Sequence, residues 1–136
     1  MTQETSREIR SEITSDGNLK ISLESVNKPE PKDGEVLIKI EASPINPSDL
    51  GLLLGPADVS TLKVSDGVAQ MKVPDALMRS VSARLDQSLP VGNEGAGVVE
   101  SAGKGAEDLV GKVVGVAGGS MSVSYTHLTL PTILLV

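Results

Sequence analysis

The sequence contains no cysteine, no tryptophan and no phenylalanine, and its 136 residues include one tyrosine and one histidine. Without cysteine the chain can form no disulfide, no thiolate metal site and no cysteine nucleophile. The net charge is −6, with acidic and basic residues mixed along the chain, so it lacks the clustered Lys and Arg with which proteins bind nucleic acid or an anionic membrane. No apolar segment approaches membrane-spanning length and the polar N-terminus resembles no signal peptide, so we expect a cytoplasmic protein.

What the sequence does contain is aliphatic. Hydrophobic residues make up 39% of the chain and are almost all Val, Leu, Ile and Ala. Branched aliphatic side chains can fill the core of a sheet-rich domain, and the length suits one domain. Aromatic rings usually bury the largest areas, so a chain this short without them has little stability to spare.

The N-terminal half predicts strands. A turn at Asp16-Gly17-Asn18 predicts a hairpin, and Leu19, Ile21 and Leu23 give its second strand an alternating pattern. The clearest strand follows, with Val36, Ile38 and Ile40 on one face and Lys39 and Glu41 on the other. After it, Ser48-Asp49 can begin a short helix over Leu50–Leu54.

The spacing of apolar residues predicts no regular element at the start of the next segment. Gly55 to Val73 predicts a long loop with a turn near Ser60–Lys63. Asp75 to Leu89 predicts a helix that Asp75 caps and Pro90 ends, because Leu77, Val81, Leu85 and Leu89 recur every four residues. Two strands interrupted by glycine are then predicted at Gly95–Ser101 and Lys112–Ala117.

The glycines of this region do not form a nucleotide motif. A dinucleotide-binding loop requires G-x-G-x-x-G, and neither Gly95-Ala96-Gly97 nor Gly103-Lys104-Gly105 has the third glycine. We therefore expect these residues to form bulges and tight corners of a curved sheet.

Two segments carry a family resemblance. "EVLIKIEASPINPSDLGLLLG" and "LPVGNEGAGVVESAG…LVGKVVGVAGG" resemble the N-terminal GroES-like domain of the medium-chain dehydrogenase/reductase superfamily. The resemblance covers about Glu8 to Gly119 and is strongest to the zinc-independent branch, the quinone oxidoreductases and 2-enoyl thioester reductases. It implies a mainly β fold with short helices, a partly open GroES-like β-barrel over residues 1–120, truncated before the Rossmann domain that follows in the family.

The resemblance also implies a chemistry. Zinc-dependent members carry Cys where Asn46 stands and His where Asn93 stands, and a neutral amide is a poor zinc ligand, so no metal site is expected. The implied reaction is hydride transfer from NADPH to an activated alkene such as a quinone, an enone or an enoyl thioester. Asn46 is the catalytic candidate, and the expected substrate and cofactor cleft comprises Asn46, Pro47, Asp49, Asn93 and Glu94.

Each of these residues also has a purely structural interpretation. Asn46 can satisfy backbone groups in a turn, Asp49 can cap a helix, and Glu94 can pair with a lysine. "LGLLLGPADVSTL" lacks the tyrosine that some enoyl reductases carry after the N-P-S-D motif, which leaves the proton donor unidentified. The alternatives to an oxidoreductase domain are a free-standing chaperonin-10-like or binding module and a β-rich fold without a ligand. The expected partner is a small-molecule substrate. Whether the parent protein also forms a homodimer stays open.

The C-terminal segment has another origin in this interpretation. Val123 to Thr132, "VSYTHLTLPT", match the in-frame translation of a transposon-end adapter used in preparing sequencing libraries. We therefore expect residues 121–136 to be a non-native tail, Tyr125 and His127 to have no evolved role, and the fragment to be inactive alone. The alternative is a genuine β-strand, and the same tail on a full-length genomic copy of the gene would establish it.

Overall fold

The computed structural model describes the backbone of residues 4–117, 125–129 and 133–135, and the side chains of residues 4–117. The rest of the expected tail, residues 121–124, 130–132 and 136, lies outside the described residues. The strands are β1 (Thr5–Thr14), β2 (Asn18–Asn27), β3 (Glu35–Ala42), β4 (Asp58–Ser65), β5 (Val68–Lys72), β6 (Leu89–Pro90), β7 (Glu94–Ala102), β8 (Val113–Ala117), β9 (Tyr125–Thr129) and β10 (Ile133–Leu135). The helices are α1 (Pro47–Leu53), α2 (Asp75–Met78) and the 3-10 helices Arg79–Arg84 and Glu107–Leu109. The predicted class, mainly β with short helices, is confirmed.

The strands form two five-stranded sheets. One has the order β4-β5-β2-β1-β6 and the other β10-β8-β7-β3-β9, and neither closes on itself. The chain divides into two compact units: the described residues of Met1–Glu8, Ser25–Pro44 and Gly92–Val136 form the first, and Ile9–Glu24 and Ile45–Val91 form the second. No helix in the described part of the chain is long and apolar enough to span a membrane.

The first unit has an aliphatic core built on β3. Val36 and Ile38 are fully buried, Ile40 packs against them, and Lys39 and Glu41 are exposed, as the sequence predicted, but Leu37 is buried as well. The remaining buried side chains of this core are Val99, Ala106, Leu109, Val114 and Val116. Strands β7 and β8 also lie where the sequence predicted them, and the β3–β7 pairing has register shifts at Leu37/Ile38 and Ile40/Ala42.

The second unit contains the predicted first hairpin and one that was not predicted. Its core comprises Ile13, Leu19, Met71 and Val73. The long loop predicted over Gly55 to Val73 is wrong, because β4 and β5 pair antiparallel there. Asp66 and Gly67 join them with φ values of 52° and 77°, and two consecutive positive φ angles are the signature of a tight Asp-Gly hairpin turn.

The helix predicted over Asp75 to Leu89 is also wrong in its extent. Its α-helical part is α2, preceded by Pro74 rather than Asp75 at the N-cap, and the 3-10 helix ends at Arg84. Asp86 has a φ of 56° and its N–H donates to the Ile13 carbonyl at 2.7 Å, after which β6 pairs with β1. Hydrogen bonding to β1 therefore ends the helix before its apolar repeat ends.

Lys28, which follows β2 in the first unit, connects two acidic side chains. Its Nζ lies 2.9 Å from Glu4 Oε2 and 2.5 Å from Glu100 Oε2. The hydrogen bonds that Lys28 donates to Glu100 and Glu4 raise the pKa of Lys28 above its ordinary value of 10.5, and the one to Glu4 lowers the pKa of Glu4 below 4.5. The favourable ion pairs therefore exist when Lys28 is charged and the carboxylates are ionised.

This arrangement predicts a stability difference that depends on pH. Replacing Lys28 with Met is expected to destabilise the chain slightly at neutral pH, by on the order of 1 kcal/mol or less for a solvent-screened pair. Since the folded-state pKa of Lys28 is raised, its contribution is present below pH 10.5 and is lost as the pH rises above that value. Since the pKa of Glu4 is lowered, its contribution is lost as the pH falls below 4.5. Urea unfolding across this range, with Lys32→Met as the control, measures the difference, and parallel profiles for the two variants would contradict the assignment.

Candidate functional site

Asn46 begins helix α1. Its backbone is extended, with φ −88° and ψ 157°, and Pro47 occupies the first turn, where a missing N–H has no consequence. The Asn46 N–H donates to Asp49 Oδ2 at 2.7 Å, and the Asp49 N–H donates to the Asn46 carbonyl at 2.9 Å. The two residues form a capping box. The sequence Asn-Pro-Ser-Asp thereby determines both where α1 begins and where the Asn46 carboxamide is attached.

Asp49 is the most buried of the predicted site residues. Only 3% of it is exposed, and while Oδ2 accepts the Asn46 N–H, Oδ1 is buried and has no hydrogen-bond partner among the described residues. Its geometry is that of a helix cap, the structural interpretation considered for it from the sequence. The contacts of Asp49 thus hold Asn46 at the start of α1.

Asn93 and Glu94 lie in the other unit, before and at the start of β7. Both are exposed, and the Glu94 carbonyl accepts a hydrogen bond from the Ser43 hydroxyl at 2.8 Å. Glu94 pairs with Ala117 of β8 in the sheet. The structure thus brings Asn46, Pro47 and Asp49 together on α1, and places Asn93 and Glu94 side by side at one strand end.

An open cleft of about 730 Å³ lies beside Glu94 in the first unit. Most of its lining residues are apolar and small, and Glu94 and Ser43 are its polar members. The lining residues are Ala42, Ser43, Pro44, Glu94, Gly95, Ala96, Gly115, Val116 and Ala117. Sequence reasoning identified Glu94 but missed Ser43 and the alanines, because small residues in strands carry no signal that distinguishes a cleft wall from sheet packing.

The donor groups of the predicted residues, which lie in two separate units, are carboxamides and carboxylates. Within the described part of the chain, no group of three or more His, Asp or Glu side chains is arranged to hold a metal ion. Asn46 and Asn93 offer neutral amide oxygens, and the Asp49 carboxylate is already bonded to the start of α1. This donor set does not fit a zinc ion, which prefers thiolate, imidazole or available carboxylate ligands.

Comparisons with known proteins agree on the kind of domain. The family described as alcohol dehydrogenase GroES-like domain matches residues 32–128. Among curated proteins, the zinc-type alcohol dehydrogenase-like protein C337.11 of Schizosaccharomyces pombe is 62% identical over 34 residues, which are 25% of this chain and 10% of that protein.

Solved structures share the fold at low sequence identity. The mycobacterial Rv1454c complexed with NADPH has a TM-score of 0.55 and 22% identity, over 96% of this chain and 32% of that one. A protein described as an NADPH:quinone reductase from Bacillus thuringiensis has a TM-score of 0.64 and 21% identity, over 98% and 34%. The JamJ enoyl reductase has a TM-score of 0.61 and 21% identity, over 99% and 35%. The chain thus spans about a third of the length of these proteins.

Proposed function

The chain belongs to the alcohol dehydrogenase GroES-like domain family, and from this premise we propose that it is the substrate-side domain of a cytoplasmic, NADPH-dependent oxidoreductase that works without zinc. Its substrate class is an activated alkene: a quinone, an enone or an enoyl thioester. The names of the NADPH-complexed, quinone reductase and enoyl reductase proteins that share its fold support this class.

The observation that carries the proposal is the Asn46 carboxamide at the start of α1. A carboxamide has two N–H donors besides its oxygen, and its attachment point is held by the Asp49 capping box. When a hydride adds to the β-carbon of an activated alkene, negative charge develops on the carbonyl oxygen. A positioned N–H donor stabilises such charge because it needs no reorganisation during the reaction.

The donor set supports a reaction without zinc. The name of the S. pombe relative points to zinc chemistry, but that likeness covers only 34 residues. At the two positions where zinc-dependent members carry Cys and His, this chain has Asn46 and Asn93, which are uncharged at every physiological pH. We therefore assign the stabilisation of the substrate oxygen to hydrogen bonds rather than to a Lewis acid.

In this proposal the described residues act on the substrate rather than on the cofactor. NADPH, when bound, supplies the hydride. This chain has no G-x-G-x-x-G loop for its phosphates, so in this proposal its own residues orient the substrate and exclude water.

The test uses the full open reading frame recovered from the source genome. We expect it to continue into a domain with a dinucleotide fingerprint, to oxidise NADPH with at least one quinone, enone or enoyl thioester, and to keep that activity in the presence of a zinc chelator. Stoichiometric bound zinc together with alcohol oxidation would contradict the proposal. A symmetric oligomer in analytical ultracentrifugation, together with no NADPH oxidation, would favour the chaperonin-10-like alternative.

A further inference from the structure

Helix α1 is too short to hold its own position. It has seven residues, and isolated helices shorter than about 12–15 residues are marginal in water. Its N-terminal end is closed by Asn46 and Asp49, but the last carbonyls of any helix have no partner within the helix. Residues from elsewhere in the chain must therefore satisfy the C-terminal end of α1.

Two polar side chains of the second unit do this. The hydroxyl of Ser11, a fully buried residue of β1, donates to the Leu52 carbonyl. Arg84 Nη1 donates to the Gly51 carbonyl at 3.3 Å, and Nη2 donates to Ser11 Oγ at 3.1 Å. The Leu50 carbonyl accepts the N–H groups of Leu54 and Gly55. The carbonyls of Leu50, Gly51 and Leu52 are thus all bonded.

Arg84 is a partly buried cation that has no acidic partner among the described residues. No described carboxylate forms an ion pair with it, its Nε is buried and without a hydrogen-bond partner among the described residues, and burial lowers the pKa of its guanidinium. A cation that loses hydration without an acidic partner is unfavourable unless something else compensates. Here the compensation is the negative end of the α1 dipole and its open carbonyls.

We propose that Arg84 and Ser11 are positioning residues for Asn46, holding α1 from its C-terminal end so that the capping box presents the Asn46 carboxamide in one place. The inference rests on the proposed function for its catalytic meaning, but the mechanical link is testable without activity. Both residues lie far from α1 in the chain, separated by 41 residues for Ser11 and Leu52 and by 33 for Arg84 and Gly51.

The experiment is amide hydrogen exchange by NMR on the chain itself. Arg84→Ala is expected to speed exchange of the Asn46, Leu54 and Gly55 amides about ten- to a hundredfold, the effect of losing hydrogen bonds from a charged donor. It is also expected to shift the Asn46 side-chain amide resonances. Amides of the β2–β5 pair are expected to keep their protection. Methylguanidinium at millimolar concentration should restore protection to the Ala variant, and sodium chloride at equal ionic strength should not.

The matched control is Arg79→Ala, which removes an exposed arginine from the start of the same 3-10 helix. It should leave α1 exchange unchanged. Equal acceleration in both variants, acceleration spread uniformly over the second unit, or no rescue by methylguanidinium would each overturn the proposal. If the Ala variant does not fold, Arg84→Lys is compared with Arg79→Lys on the same amides, because lysine lacks the planar guanidinium fork whose two nitrogens bond Gly51 and Ser11 separately. None of these outcomes depends on turnover, so failure of the proposed function would be seen separately.

Discussion

Alanine at Gly97 is expected to lower the free energy of unfolding by about 3 kcal/mol or more, a severe loss for so small a domain. A Cβ at this position would lie 2.0 Å from the Lys39 carbonyl oxygen, 2.8 Å from the Lys39 carbonyl carbon and 3.0 Å from Ile38 Cγ2. The first two atoms are backbone of β3, the strand that pairs with β7. They cannot rotate away, so the two strands must separate and the aliphatic core beneath them must open.

The same substitution at Gly51 supplies the control. Gly51 lies inside α1, and a Cβ there would meet nothing within 4 Å. Alanine favours a helix interior over glycine, so Gly51→Ala is expected to stabilise the chain by about 0.5–1 kcal/mol. Urea unfolding of the two variants beside the wild type measures both effects. Similar stabilities for Gly97→Ala and Gly51→Ala would show that β3 and β7 do not approach as closely as described.

The strands of the first unit could be predicted from the sequence because their burial alternates. In β3 the side chains of Val36 and Ile38 are buried, and those of Lys39 and Glu41 are exposed. The core imposes the period of two on Val36, Ile38 and Ile40, although Leu37 between them is buried as well. Strands β7 and β8 also lie where the sequence predicted them, in spite of their glycines.

Strand β4 could not be predicted by that criterion because it has no buried face. It lies at the edge of its sheet, and Val59, Leu62 and Val64 are 50%, 49% and 69% exposed. Its pairing with β5 is also interrupted between Asp58 and Lys63. The Asp66-Gly67 turn was the available signal, since this dipeptide is typical of tight hairpins.

The helix predicted from Asp75 failed for a different reason. Two residues of its apolar repeat, Val81 and Leu85, do pack against the core of the second unit, whereas Leu77 is 42% exposed. The spacing therefore identified only part of the side chains that pack against the core. It did not identify the backbone, because the segment after Arg84 bonds to β1 instead of to itself, and pairing with a distant strand leaves no mark in local spacing.

The candidate site shows the same division between local and distant contacts. The Asn46–Asp49 capping box spans three residues, and the short helix it begins could be predicted. The contacts of Ser11 and Arg84 with α1 join residues at least 33 positions apart, and nothing in the sequence near either residue indicates them. The proposed catalytic residue was therefore accessible from a motif, while the residues that we propose to position it were not.

In the full-length protein, Asn46→Ser is expected to reduce kcat for the proposed reaction about a hundredfold while leaving the free energy of unfolding within about 0.5 kcal/mol of the wild type. Serine caps helices about as well as asparagine, so the start of α1 should survive. It lacks the carboxamide N–H donors, and removal of one such donor to a developing oxyanion lowers kcat by about 10²–10³. Steady-state NADPH oxidation with the preferred alkene gives kcat, and thermal or urea unfolding gives stability.

The serine variant separates the two roles that Asn46 could have. If Asn46 only caps α1, serine will preserve both stability and kcat, while Asn46→Ala will lower stability by about 1 kcal/mol through loss of the cap. If the carboxamide acts on the substrate, serine and alanine will lower kcat alike, although only alanine lowers stability. Asn27→Ser, at the exposed end of β2, controls for general effects of the substitution. Full activity in Asn46→Ser would remove the residue from the reaction and leave the capping box as its whole purpose.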